Sequence, residues 1–154
     1  MAHARRSRVI PAPQQAIWDV LSDFGALSKW AGKIDHSCVL NAHPEVQSTT
    51  RRVQVGRTVL VERITEFREP STLAYAIEGL PSWMGRLTNR WPLRPAGAGP
   101  EVTATSTVDP AGFASLVTSA VTARVLAKQS DAMLDGLART MGARTCPIDP
   151  TSSS

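Results

Sequence analysis

Cysteine is scarce in this chain of 154 residues: there are two, Cys38 and Cys146. Two thiols build no disulfide framework, and they suit a reducing compartment. Long apolar runs are missing too. No stretch approaches the ~20 residues that a membrane-crossing helix needs, so no integral membrane association is expected. Arg5, Arg6 and Arg8 open the chain without the apolar core of a secretory leader. The reading is a cytoplasmic protein. Neither a Ser–His–Asp arrangement, nor a phosphate loop, nor a dinucleotide fingerprint is present. Nucleic-acid-binding motifs are also lacking. The net charge of +4 comes from arginines scattered through predicted strands and loops. That pattern reads as a solvated basic surface, and no nucleic-acid partner is expected.

What is present is ordinary globular composition, with 42% hydrophobic and 19% charged residues. The length suits one domain with a real core, placed here over residues 1–144. Residues 145–154, TCPIDPTSSS, are polar and broken by proline, and disorder is expected there. Residues 9–30 join a strand end to two helices. Pro13 fits a first helical position. Ala16, Ile17, Val20, Leu21 and Phe24 then recur at helical spacing. Asp23 can cap a second helix ending at Trp30, and Gly25 permits a sharp turn before it. Extended patterns follow at 34–41, 49–55, 58–68, 72–79, 86–94 and 101–108. Gly56 marks a hairpin, Glu69-Pro70 a turn and PAGAGP (95–100) another. Short connections between consecutive strands predict an antiparallel meander.

A final helix is expected over 113–142, stopped by Gly142. Leu116, Ser119, Ala123, Leu126, Ser130, Met133, Leu134, Leu137 and Met141 share one face at 100° per residue. Arg124, Lys128, Asp131, Asp135 and Arg139 share the other. The inner face is small in its first half and bulky in its second. Small residues against a curved sheet leave a cavity, unless aromatic side chains of the sheet fill it. Val117 and Val121 lie on the outer face, where they can meet the first helices or a partner.

The order strand, two helices, meander and long helix resembles the START-like (SRPBCC) superfamily. That superfamily includes polyketide cyclase/dehydrase-type proteins, birch-pollen-allergen-like proteins and the abscisic-acid receptors. APQQAIWDVLSDFGALSKWAG (12–32) is similar to its N-terminal signature, and VERITEFREPSTLAYAIEG (61–79) to its central hairpin. The likeness spans residues 6–142. It implies an α+β helix-grip fold, in which an antiparallel sheet wraps the last helix around a cavity. Glu62-Arg63-Ile64 is similar to a stretch of the abscisic-acid receptors that contributes its glutamate to the pocket. Gly79-Leu80-Pro81 is similar to their gate loop, displaced to a different strand end, and is read as a cavity-mouth loop beside Trp83 and Met84.

Few residues carry possible chemistry. Glu62 alternates with Leu60 and Ile64, so an inward face would set one carboxylate among apolar groups. Such a group must find a partner or a proton, with Arg90 or another cation as the partner. The opposite phase, or a bulge, would instead turn Val59, Val61 and Phe67 inward. Tyr75, Ile77, Asn89 and Trp91 are further lining candidates, joined on the helix by Ser119, Ala123 and Leu126. Glu62 and Tyr75 are the candidate proton carriers, and Glu78 and Arg90 are expected to pair across strands. His36, Cys38 and His43 have a spacing that can hold zinc. They read instead as surface and core residues, and no metal or cofactor is expected. The first functional reading is binding of an apolar small molecule, such as a lipid, polyketide or isoprenoid, by a monomer or weak homodimer. The alternatives are a polyketide aromatase/cyclase or dehydratase, and an interaction module with a filled core.

Overall fold

Alternation of apolar and polar residues along the β-branched segments shapes the sheet, and the computed structural model follows it closely. It describes residues 2–41, 44–79, 85–109 and 115–145, with the backbone alone at 2, 115–122, 144 and 145. Seven strands form one antiparallel sheet: β1 (Ala2–Val9), β2 (His36–Asn41), β3 (Thr50–Val55), β4 (Thr58–Arg68), β5 (Thr72–Glu78), β6 (Arg86–Arg94) and β7 (Glu101–Asp109). Their order is β1-β7-β6-β5-β4-β3-β2, so the first strand lies beside the last and the rest is a meander. Between β1 and β2 come α1 (Gln14–Ser22), a 3₁₀ turn (Phe24–Ala26) and α2 (Leu27–Trp30). The long helix α3 runs Ser115–Thr145 and lies against the sheet, leaning on β1 and β7. This is the helix-grip arrangement. No helix among the described residues is long and apolar enough to cross a membrane.

Two local expectations, those for Asp23 and Gly142, are corrected, and the first strand extends well beyond the end that the sequence marked. The first strand is a full eight residues, Ala2–Val9, not merely a short end. Ala-His-Ala-Arg-Arg-Ser-Arg has no apolar alternation to betray it. Ala4 is its buried anchor, while Arg6 and Arg8 reach back to Asp131 and Asp135 of α3. Asp23 makes no capping hydrogen bond. Ser37 of β2 ties down that corner instead, its hydroxyl accepting from the Ser28 N–H at 2.9 Å and donating to the Gly25 carbonyl at 2.8 Å. Gly25 is needed for closeness: a Cβ there would stand 2.8 Å from Val39 Cγ2. Gly142 does not end α3, which continues to Thr145. The expected disordered tail lies, from Cys146 on, outside the described residues.

The core is one large cluster and one small one. Ile17, Trp18, Leu21, Phe24 and Trp30 pack on Leu73, Tyr75, Trp91, Leu93 and Val102 of the sheet and on Leu134, Leu137 and Met141 of α3. Edge-to-face aromatic pairs stitch the layers: Trp18–Phe67 at 5.1 Å, Phe24–Tyr75 at 5.8 Å and Trp30–Trp91 at 6.0 Å between centroids. Gly136 lets α3 touch α2, because a Cβ there would sit 2.2 Å from the Trp30 carbonyl oxygen. The small cluster, Ala4, Leu126 and Ala127 with Leu87 and Val108, lies further along the sheet.

Candidate functional site

Between the two clusters the layers do not meet. A hollow of about 100 Å³ remains, floored by β3 to β7 and roofed by Leu126, Gln129, Ser130 and Met133 of α3. Seven of the expected lining residues are on its wall: Leu60, Glu62, Tyr75, Ile77, Asn89, Trp91 and Leu126. Ile64 is not; it is 3% exposed and packed in the large cluster. It is one step further along β4, past the point where the layers close. Ala123 is half-buried and off the wall, because the roof begins one turn later, at Leu126. The side chain of Ser119 lies outside the described residues. The small helical residue that does open the space is Ser130, 3% exposed and on the wall.

Both phases proposed for β4 occur in it. Leu60, Glu62 and Ile64 face inward, with Val59 47% exposed. A bulge then intervenes between Ile64 and Glu66: Ile64 pairs with Tyr75, Glu66 with Ala74 and Phe67 with Leu73. The extra residue, Thr65, reverses the alternation, so Phe67 also turns inward and meets Trp18. The bulge therefore gives one strand a pocket-lining half and a core-packing half on the same face.

Glu62 is buried and does not pair with Arg90. Its partner is Arg51, directly opposite on β3. Arg51 Nε donates to Glu62 Oε2 at 2.6 Å. Arg51 Nη2 lies 2.5 Å from the same oxygen but off the hydrogen-bonding direction. Nη1 donates to the Phe24 carbonyl at 3.0 Å. The guanidinium carbon stands 3.9 Å from the Phe24 ring centroid and 4.6 Å from that of Tyr75. The cation is thus enclosed, with its side chain 3% exposed. Both close nitrogens crowd onto Oε2. Glu62 lines the hollow, and its Oε1 has no hydrogen-bond partner among the described residues. Arg51 is the residue that sequence reasoning missed. A signal existed: Arg51 is two residues before the inward Val53, and a two-residue turn at Gly56-Arg57 sets it opposite Glu62. Arg90 instead holds Glu66, with Nε at 2.9 Å, and Glu78 takes Arg63 at 2.9 Å, all on the outer face. The hydrogen bond from Arg90 holds the Glu66 carboxyl below the usual carboxylate range.

Six further polar residues line the hollow, Tyr75, Asn89, Thr105, Ser106, Gln129 and Ser130. Burial pushes the Tyr75 phenol up to about 12, and the neighbouring Glu62 carboxylate adds to the rise. Tyr75 is protonated at neutral pH and has an O–H to donate. The Ser106 hydroxyl donates to Asn89 Oδ1 at 2.5 Å, which leaves the Asn89 amide N–H groups without a partner among the described residues. The Ser130 hydroxyl likewise has none there. Chemically, the wall offers a carboxylate oxygen that accepts, a phenol and an amide that donate, and a hydroxyl that does either.

Other expected features stand apart. Exposed His36 and half-buried Cys38 are on β2, away from the hollow, and His43 lies outside the described residues. So do Leu80, Pro81, Trp83 and Met84 of the expected mouth loop, and the side chains of Val117 and Val121.

Residues 1–142 match the family described as polyketide cyclase / dehydrase and lipid transport. No curated protein matches the chain. Among solved structures, a protein from Thermobifida fusca is 24% identical with a TM-score of 0.78, over 94% of this chain and 96% of that one. A START superfamily protein from Mycobacterium smegmatis is 14% identical with a TM-score of 0.78, over 94% of this chain and all (100%) of that one. The di-domain ARO/CYC StfQ from the steffimycin biosynthetic pathway is 13% identical with a TM-score of 0.75, over 93% of this chain and 52% of that one. At these identities the likeness is one of fold.

Proposed function

The chain belongs to the polyketide cyclase / dehydrase and lipid transport family, and on that footing we propose that it binds an apolar small molecule in the hollow under α3. The observation that carries this is the wall itself: mostly apolar side chains from both layers around a few placed polar groups. Pockets that hold small molecules have that composition. Leu60, Ile77, Trp91 and Leu126 supply the apolar surface; Glu62, Tyr75 and Asn89 supply orientation. The hollow counts against an interaction module with a filled core.

A second reading is turnover of a polyketone-like substrate. It is favoured by Glu62 and Tyr75 sharing one wall. The open carboxylate oxygen could take a proton next to a carbonyl, while the protonated phenol donates a hydrogen bond to that carbonyl. Native mass spectrometry of the purified protein tests the first reading, which expects a co-purified small molecule. Ser130→Leu should remove that molecule, because the added side chain fills the roof. A carrier-free spectrum that also resists added apolar probes would end the binding reading. Conversion of a poly-β-ketone, falling about 100-fold or more in Glu62→Gln protein that retains the native circular-dichroism spectrum, would favour the enzyme.

A further inference from the structure

Resting on the binding reading, we infer that the hollow selects a neutral, single-ring molecule carrying a hydrogen-bond donor, and rejects carboxylates. Size comes first. A hollow of about 100 Å³ is of the order of one aromatic ring, since an engineered cavity of about 150 Å³ holds benzene. A long acyl chain does not fit within the described walls.

Charge comes next. The buried carboxylate Glu62 lines the hollow, with one oxygen committed to Arg51 and the other without a hydrogen-bond partner among the described residues. An open carboxylate oxygen calls for a donor, and a charge-assisted hydrogen bond is a strong one. An incoming anion would meet that oxygen instead. Arg51 cannot receive it, because Phe24, Tyr75 and Glu62 enclose the guanidinium and leave its side chain 3% exposed. The other wall groups are neutral: Tyr75 keeps its proton, and Asn89, Thr105, Ser106, Gln129 and Ser130 do not ionise. The charges within the hollow are therefore already balanced, and an added negative charge would be buried unpaired. At the far side, two strand spacings from Glu62, the Asn89 amide donates. An acceptor at the opposite end of the ring would meet it, so a ring with a hydroxyl at one end and a carbonyl at the other fits best.

The test is calorimetric titration of the protein with toluene, phenol and benzoate at pH 7, followed by 4-hydroxybenzaldehyde. Phenol should bind at least tenfold tighter than toluene, benzoate at least tenfold weaker than phenol, and 4-hydroxybenzaldehyde tightest. Toluene binding as tightly as phenol would overturn the inference and leave the apolar-binding reading standing. Benzoate matching phenol would overturn it as well. If no probe binds, the binding reading itself falls and takes the inference with it. Glu62→Gln leaves the buried Arg51 guanidinium without its counter-charge and can fail to fold, so the informative variant is Arg51→Met with Glu62→Leu. Replacing a buried ion pair by apolar groups of similar volume is often tolerated. In that variant the preference for phenol over toluene should collapse to about onefold. A preference that survives would overturn the role of Glu62.

Discussion

The two halves of α3 rest on the same sheet in different ways. From Leu134 to Met141 the helix is seated in a solid core, with Leu137 and Met141 at 2% exposure or less among Trp18, Leu73 and Leu93. From Leu126 to Met133 it spans a hollow. Two packing devices make the difference. At the solid end, α1 and α2 fold over the sheet and bring in Trp18, Phe24 and Trp30, and Gly136 admits α3 to the backbone of Trp30. At the hollow end Ser130 shares the wall with Ala104, Ser106 and the partly buried Leu87, and among the described residues no aromatic side chain of the helices lines the space. The solid half carries the stability that the open half lacks. Where the two meet, the buried Arg51–Glu62 pair lies under Phe24 and Tyr75, the last aromatics of the solid core.

That boundary is where the largest effect is expected. Arg51→Met should destabilise by about 3–5 kcal/mol, because it strands the Glu62 charge in the interior. Urea unfolding measures it. A loss under about 1 kcal/mol would mean the pair is solvated, and the contrast between the halves would lose its hinge.

The next effect compares the halves directly. Leu137→Ala should cost about 2–5 kcal/mol, as for a leucine surrounded on all sides, whereas Leu126→Ala should cost no more than about 2 kcal/mol. Leu126 already borders empty space, so its removal forfeits fewer contacts. Equal losses in thermal or urea unfolding would show that the two halves are packed alike.

The smallest effect is one of pH. The folded state holds the Tyr75 phenol at about 12 against an ordinary 10, so folding favours the protonated form. The stability this contributes is complete below about pH 10 and is lost as the pH rises through about 12. Between pH 9 and pH 11.5 the native protein should lose about 2 kcal/mol more than Tyr75→Phe does. Parallel slopes for the two proteins would place the phenol in contact with water and move the edge of the solid core.

Much of this was legible in the chain. Strand boundaries came within about two residues of the observed ones, because β-branched residues, Gly56 and the Pro turns mark them locally. The stripe on α3 was legible because helical spacing is a property of neighbours along the chain. Of the small residues on that stripe Ser130 is part of the roof of the hollow, whereas Ala123 is off its wall and the roof lies further along the helix, from Leu126 to Met133. β1 was mostly illegible, since its stability comes from pairing with β7 and from Asp131 and Asp135, which are far away in sequence.

The partner of Glu62 shows where the boundary lies. The sequence by itself determined that Glu62 shares a face with Leu60, since alternation is local, and left open which face of the strand turns inward. Which cation meets Glu62 was decided by the pairing of β3 with β4 across the Gly56-Arg57 turn, and its burial by the layers that close over it. Arg90 and Arg51 look alike in the chain. Only the fold buries one beneath Phe24 and leaves the other on the outer face with Glu66, because burial is a property of the assembled layers and not of any residue's neighbours in sequence.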